Sequence, residues 1–228
     1  MENAVTPAQG QEEKTIPLGK ALLILGAVVV VLAAAGLTVG YLFFWDKYQH
    51  QTYEDIMIRA ARQQVKANPK SATAHLELGY AYLLRREAEK ALAEYKTAHR
   101  LDPQNRQVRY NLALGYMANK DYPEAIKLLK PLAKEGIFDL EAHFSLGEAY
   151  YYNKQYAEAV KAFSDAAAIR PGLANTYYFM ALSYEKMGDK ENAIAACDKA
   201  LRLVPTYKDA LSLKAKLTEQ PAGGKKNG

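Results

Sequence analysis

Four histidines and one cysteine, His50, His75, His99, His143 and Cys197, are the side chains of this sequence best suited to hold a metal or begin nucleophilic catalysis. A metal site needs such ligands at short, regular spacings, for example two on successive turns of one helix. No two of these histidines stand four residues apart, and none lies near Cys197. Glycine-rich phosphate loops and a G-x-S-x-G nucleophile elbow are also missing. No metal, cofactor or catalytic residue is therefore assigned, and an enzymatic role for this chain alone is not expected. The chemistry that remains is binding, and it depends on which faces the aromatic and apolar residues occupy.

Those faces follow from a repeat. Pro69, Pro103, Ile137, Pro171 and Pro205 lie 34 residues apart. Counting units from residues 72, 106, 140 and 174, position 8 is Gly79, Ala113, Gly147 and Ala181, and position 11 is Tyr82, Tyr116, Tyr150 and Tyr184. Position 20 is alanine four times (Ala91, Ala125, Ala159, Ala193); position 24 is Tyr95, Leu129, Phe163 and Cys197; position 27 is Ala98, Leu132, Ala166 and Ala200. Positions 4, 7, 8 and 11 share one face of a first helix, and positions 20, 24 and 27 share one face of a second. Each unit is thus a helical hairpin whose small residues let the two backbones approach, with proline ending the second helix. The tyrosine at position 11 is expected to fill the space toward the next unit. Stacked hairpins of fixed period make a solenoid.

This pattern resembles the tetratricopeptide repeat (TPR), whose 34-residue consensus carries small residues at 8, 20 and 27, an aromatic at 11 and proline at 32. The resemblance covers 72–207 as four repeats (72–105, 106–139, 140–173, 174–207) and implies an all-α, right-handed α-solenoid. Position 4, often tryptophan in the family, is His75, Arg109, His143 and Tyr177. Packing there should be more polar than consensus, with His75 and His143 structural. The second repeat has Gly136 and Ile137 where a proline is usual, and it carries Pro131 inside its second helix. Proline there removes an amide bond to the Lys127 carbonyl, so a bend and a local change of curvature are expected. Pro123 is tolerated in a first turn, with Asp121 as N-cap. Residues 52–68 read as the second helix of an incomplete unit. At the other end, 208–218, with Ala210, Leu211, Leu213 and Leu217, reads as a capping helix. Cys197 takes a core position, as a buried and inert thiol.

In the TPR family, positions 2, 5, 9 and 12 of the first helix line the concave groove. Here that stripe is unusually apolar: Leu76, Tyr110, Phe144 and Tyr178 at position 5; Tyr80, Leu114 and Leu182 at position 9, with Glu148; Leu83, Met117 and Tyr151 at position 12, with Glu185. Position 5 has a second reading, as packing against the next repeat. The apolar residues of the stripe predict a groove for a peptide or helix of a partner protein, anchored by aromatic side chains. A clamp for a C-terminal carboxylate is not implied. Of the clamp positions, which here hold Leu76, Tyr80, Asn111, Glu141 and Ser145, only Asn111 carries the family's residue.

Ahead of the repeats, Ala21 to Trp45 is a run of uncharged, mostly apolar residues, longer than the roughly 20 needed to cross a bilayer. Ala33-Ala34-Ala35 could serve a signal peptidase, but Leu37 to Trp45 stays apolar and ends in an interfacial aromatic group (Tyr41, Phe43, Phe44, Trp45, Tyr48), which favours an uncleaved anchor. Lysines flank both ends, so charge nearly ties on orientation. The short tail before one anchor favours a cytoplasmic N-terminus and exported repeats, in a prokaryotic plasma membrane. Gly36 and Gly40 form a G-x-x-x-G step that would permit a homodimer through the anchor. With no proline or glycine from Tyr41 to Asn68, the spanning helix is expected to run on into the capping helix of 46–71. Residues 1–20 and 219–228 have the composition of disordered tails.

A net charge of +5 is mild and does not form the basic stripe of a nucleic-acid binder. The sequence therefore reads as a membrane-anchored TPR scaffold or assembly adaptor, the alternative being a non-catalytic subunit of a membrane-associated enzyme complex.

Overall fold

The computed structural model describes residues 17–41, 52–136 and 139–219. Phe43, Phe44, Trp45, Tyr48, Ile137, the expected continuous helix from 42 to 51 and both tails lie outside the described residues. The chain divides into two compact units, 1–52 and 53–228. In the first, α1 spans Leu18–Gly40, 23 residues that include an 18-residue stretch with a mean hydropathy of 2.8, and its leucines and valines are exposed along the whole helix. At about 1.5 Å per residue it is about 35 Å long. It begins ahead of the uncharged stretch and includes Lys20, because a charge ends a hydropathy run without breaking a helix. Beside Gly36 and Gly40 there is open space.

The second unit is all-helical among its described residues. Helix α2 (Tyr53–Ala67) precedes four hairpins: α3 (Ala72–Leu84) with α4 (Ala88–Leu101), α5 (Arg106–Ala118) with α6 (Tyr122–Glu135), α7 (Leu140–Tyr152) with α8 (Tyr156–Ile169), and α9 (Ala174–Met187) with α10 (Lys190–Leu203). Helix α11 (Lys208–Glu219) closes the row. Each helix packs chiefly on the helices before and after it in sequence, which is the contact pattern of a solenoid.

Local signals repeat with the hairpins. Ser71, Asn105 and Asp139, each the residue before a first helix, accept hydrogen bonds from the first-turn amides of Ala74, Gln107 and Ala142. Asp121 stands at the N-cap of α6 but makes no side-chain cap bond, contrary to the sequence expectation; Pro123 and the helix's own packing suffice there. Every hairpin turns through a left-handed residue at position 15: Arg86, Lys120 and Lys154 with φ of 61, 61 and 62°, then Gly188 with φ of 78°. In each turn the next amide donates back to the carbonyl of the position-11 tyrosine (Glu87 to Tyr82, Asp121 to Tyr116, Gln155 to Tyr150, Asp189 to Tyr184). This is a Schellman closure, strong enough to hold three basic residues where glycine is usual. Helix α6 runs unbroken through Pro131, whose ring is exposed.

Side-chain volumes at positions 8 and 24 compensate. Where position 24 is aromatic, position 8 is glycine (Gly79 with Tyr95, Gly147 with Phe163); where it is Leu129 or Cys197, position 8 is Ala113 or Ala181, and each of these pairs shares one core cluster. A Cβ on Gly79 would lie 2.5 Å from the Tyr95 ring, and one on Gly115 would lie 2.7 Å from its other side. The ring is fully buried and has nowhere to go. Gly79→Ala should therefore cost about 1–3 kcal/mol, although alanine is the better helix former. Adding Tyr95→Leu, which copies the Ala113–Leu129 pair, should recover part of that loss relative to Tyr95→Leu alone. Urea unfolding of the three variants measures it, and strictly additive losses would disprove the size coupling.

Position 4 is tied to the second helix of its own hairpin by polar contacts. His75 Nδ1 lies 2.6 Å from Glu94 Oε2, Arg109 donates to both Glu135 carboxylate oxygens at 3.0 and 2.8 Å, His143 Nδ1 is 3.8 Å from Asp165 Oδ2, and the Lys199 ammonium sits 5.7 Å from the Tyr177 ring centre. Both histidines are structural in this arrangement. Two of the position-11 tyrosines correct another expectation: Tyr82 and Tyr116 face the preceding unit. Arg62 of α2 donates to the Tyr82 hydroxyl at 3.1 and 2.9 Å, and the Lys96 ammonium of α4 lies 5.3 Å from the Tyr116 ring centre. A first helix is wedged between its own partner and the preceding second helix, and Tyr82 and Tyr116 point to the latter. In α11, Ala210, Leu213 and Leu217 are buried, whereas Leu211 is exposed and does not join the cap.

Candidate functional site

The ten apolar residues of the stripe divide by how far the chain covers them. Position 5 is largely taken up between repeats. The Tyr110 hydroxyl is 3.0 Å from Ser145 Oγ, the Phe144 ring meets Phe179 edge-on at 5.7 Å, and Tyr178 lies 5.2 Å from Tyr207. Leu76 packs partly on the cluster of Ile58 and Leu78. Packing against the next repeat accounts for Tyr110 and Phe144, while Tyr178 is met by Tyr207 at the end of its own repeat.

Positions 9 and 12 keep more free surface. Tyr80 is 50% exposed, so its ring is available to a ligand. Leu83, Met117 and Leu182 are half-buried, each with one side against its own repeat's core. Leu114 is half-buried outside these clusters, and Tyr151 meets Phe179 at 6.0 Å, Tyr152 at 5.3 Å and Tyr156 at 5.8 Å. Such residues have few rotamers left to lose, so a ligand lying on them orders little.

The sequence reading missed the centre of this surface. Phe179, at position 6 of the fourth repeat, stacks on Phe163 at 5.3 Å and touches Phe144, Tyr151 and Tyr178. Its signal was visible: the same position elsewhere is Glu77, Asn111 and Ser145. Tyr152 stacks on Tyr122 at 5.5 Å and extends the aromatic row into the second repeat. Glu148 is the other omission. Burial alone pushes its carboxyl up to about 7.

Sequence profiles of the tetratricopeptide repeat match residues 58–106, 110–174 and 174–207. The chain belongs to the tetratricopeptide repeat family. Members of this family serve as protein-interaction scaffolds. The TPR chain is similar in fold to YrrB, described as a TPR protein with an unusual peptide-binding site (22% identity, TM-score 0.62, covering 69% of this chain and 81% of YrrB). It is likewise similar to MamA protein (24% identity, TM-score 0.59, 82% and 98% covered) and to MamA from residue 41 to its end from Desulfovibrio magneticus RS-1 (15% identity, TM-score 0.64, 74% and 95% covered). A search of curated protein sequences finds no match. At these identities the neighbours establish the solenoid, and the ligand has to be argued from this chain's own residues.

Proposed function

We propose that this TPR protein is a membrane-anchored adaptor that takes a polypeptide segment along its inner stripe and so assists assembly of an envelope or membrane complex. The observation that carries the reading is the apolar surface of Tyr80, Leu114 and Tyr151, which neither the core nor inter-repeat packing fully covers. Loss of water from such a row favours binding of an apolar or aromatic side chain by about 25 cal/mol per Å2. The half-buried setting gives each anchor a fixed pose. Anchoring is supported by α1, whose length exceeds the roughly 30 Å of a hydrocarbon core and whose exposed apolar surface calls for lipid.

A photoreactive residue placed at Tyr80, Leu114 or Tyr151 of the full chain in cells should crosslink a discrete partner, whereas one at exposed Lys130 should not. Leu114→Asp, which sets a charge on the apolar row, should reduce capture about tenfold. Equal labelling from Lys130, or unchanged capture by the aspartate variant, would overturn the groove. One stoichiometric enzyme partner would favour the subunit reading over the adaptor.

A further inference from the structure

The inner stripe is acidic in a basic protein. Positions 2, 5, 9 and 12 of the four repeats include three charged residues, Glu141, Glu148 and Glu185, within a chain of net charge +5. They are not equivalent. Glu185 is already neutralised by Lys216 at 2.6 Å. Glu141 is exposed, so water solvates it. Glu148 is half-buried on α7, and among the described residues no hydrogen bond or ion pair reaches its carboxylate.

Two tyrosines neighbour Glu148, one on its own helix and one from the second repeat. Tyr152 follows it by one turn on α7, and Tyr110 of the second repeat is tied to the same helix by its hydroxyl, 3.0 Å from Ser145 Oγ one turn before Glu148; burial first, then nearby carboxylate charge (Glu141 and Glu148 for Tyr110, Glu148 for Tyr152), pushes both phenols up. Tyr152 is 47% exposed and backed by Tyr122 and Tyr151, so its ring borders the cleft as a supported wall. The Tyr110 hydroxyl is occupied by Ser145, which leaves its ring as the surface offered.

A partly desolvated carboxylate beside tyrosine faces discriminates sharply among ligands. An anion is repelled. A neutral apolar group strips the remaining water from Glu148 and supplies nothing in return. A cation gains both the ion pair and the ring faces. Resting on the groove reading above, we infer that the cleft between the second and third repeats receives a lysine or arginine side chain of the bound segment, paired with Glu148 and flanked by Tyr110 and Tyr152, while its apolar neighbours lie on Leu114 and Tyr151. The partner segment is thus basic at one fixed position between apolar ones.

The probe is a random dodecapeptide library displayed on phage, panned at pH 8 on the full chain in detergent micelles after counter-selection on empty micelles. Wild type, Glu148→Gln and Leu114→Asp chains are panned in parallel, each checked for helicity by circular dichroism. Sequences recovered on wild type should carry lysine or arginine at one position at least about tenfold above the input. Glu148→Gln should lose that enrichment and keep the apolar positions; Leu114→Asp should lose the sequences altogether. No basic position on wild type, or the same basic position on Glu148→Gln, overturns the cation inference and leaves the groove standing. Recovery of the same sequences on Leu114→Asp, or of none above empty micelles on wild type, overturns both.

Discussion

Replacing Phe163 with alanine lowers the unfolding free energy of the solenoid by about 3–5 kcal/mol. The ring is fully buried, and three neighbours would be left facing a void. Phe179 stacks on it at 5.3 Å, Phe144 meets it edge-on at 5.4 Å, and the missing side chain of Gly147 is the space it fills, since a Cβ there would be 2.7 Å from the ring. Helix backbones on both sides resist collapse into such a hole, so the upper part of the range applies. The effect does not stop at stability. Phe179 holds Tyr151 and Tyr178 in place, and once it loses its backing the binding surface loosens although Phe163 itself is fully buried. Urea unfolding followed by helical circular dichroism measures the first effect, and crosslinking yield from position 151 the second. A loss below about 1 kcal/mol would show that the aromatic cluster repacks and is not the keystone described above.

The second large effect is set by pH. Glu148 has a carboxyl pushed up to about 7 in the folded chain from an ordinary value near 4.5, and the cause is burial. The folded protein therefore holds a proton that the unfolded chain releases between about pH 4.5 and 7. Stability is greatest below the unfolded value and falls as pH rises through the folded one. The groups that sense this carboxylate are the phenols of Tyr110 on α5 and Tyr152 on α7, neither of which ionises in that window. Allowing for partial solvent access, the loss between pH 5 and pH 8 is about 1–2 kcal/mol. Glu148→Gln removes the titration, so this variant should exceed wild type by about that amount at pH 8 and match it at pH 5. Midpoints of urea unfolding at the two pH values give the answer. An equal offset at both would mean that the glutamine acts through packing rather than charge.

How much of this was visible in the sequence depends on whether the signal is periodic. The hairpins were legible because small and large residues recur in register, and even the glycine–aromatic pairs at positions 8 and 24 can be read from the string once their contact is known. Cap residues Ser71, Asn105 and Asp139 follow the same beat. The left-handed turns were hidden, since arginine and lysine at position 15 give no hint of a conformation imposed by hydrogen bonds to the helix before them. Site residues were legible as a stripe but not in their division of labour. Helical spacing places Tyr110, Phe144 and Tyr178 on the inner side, but whether they meet a ligand or the next hairpin depends on how hairpins are rotated against each other, and no single-helix pattern encodes that. Glu148 escaped for a related reason. Its raised proton affinity comes from burial, which depends on packing that the spacing along one helix does not state.

The isolation of Cys197 has a practical consequence. It is the only cysteine in the sequence, and it is buried with its thiol pushed up to about 11, so at neutral pH it offers almost no thiolate to an electrophile. The native chain is therefore a silent background for maleimide chemistry. Cysteines introduced in pairs at positions 80, 114 and 151 can carry fluorophores or nitroxides without first removing the native one, and distances between repeats can be read in intact molecules.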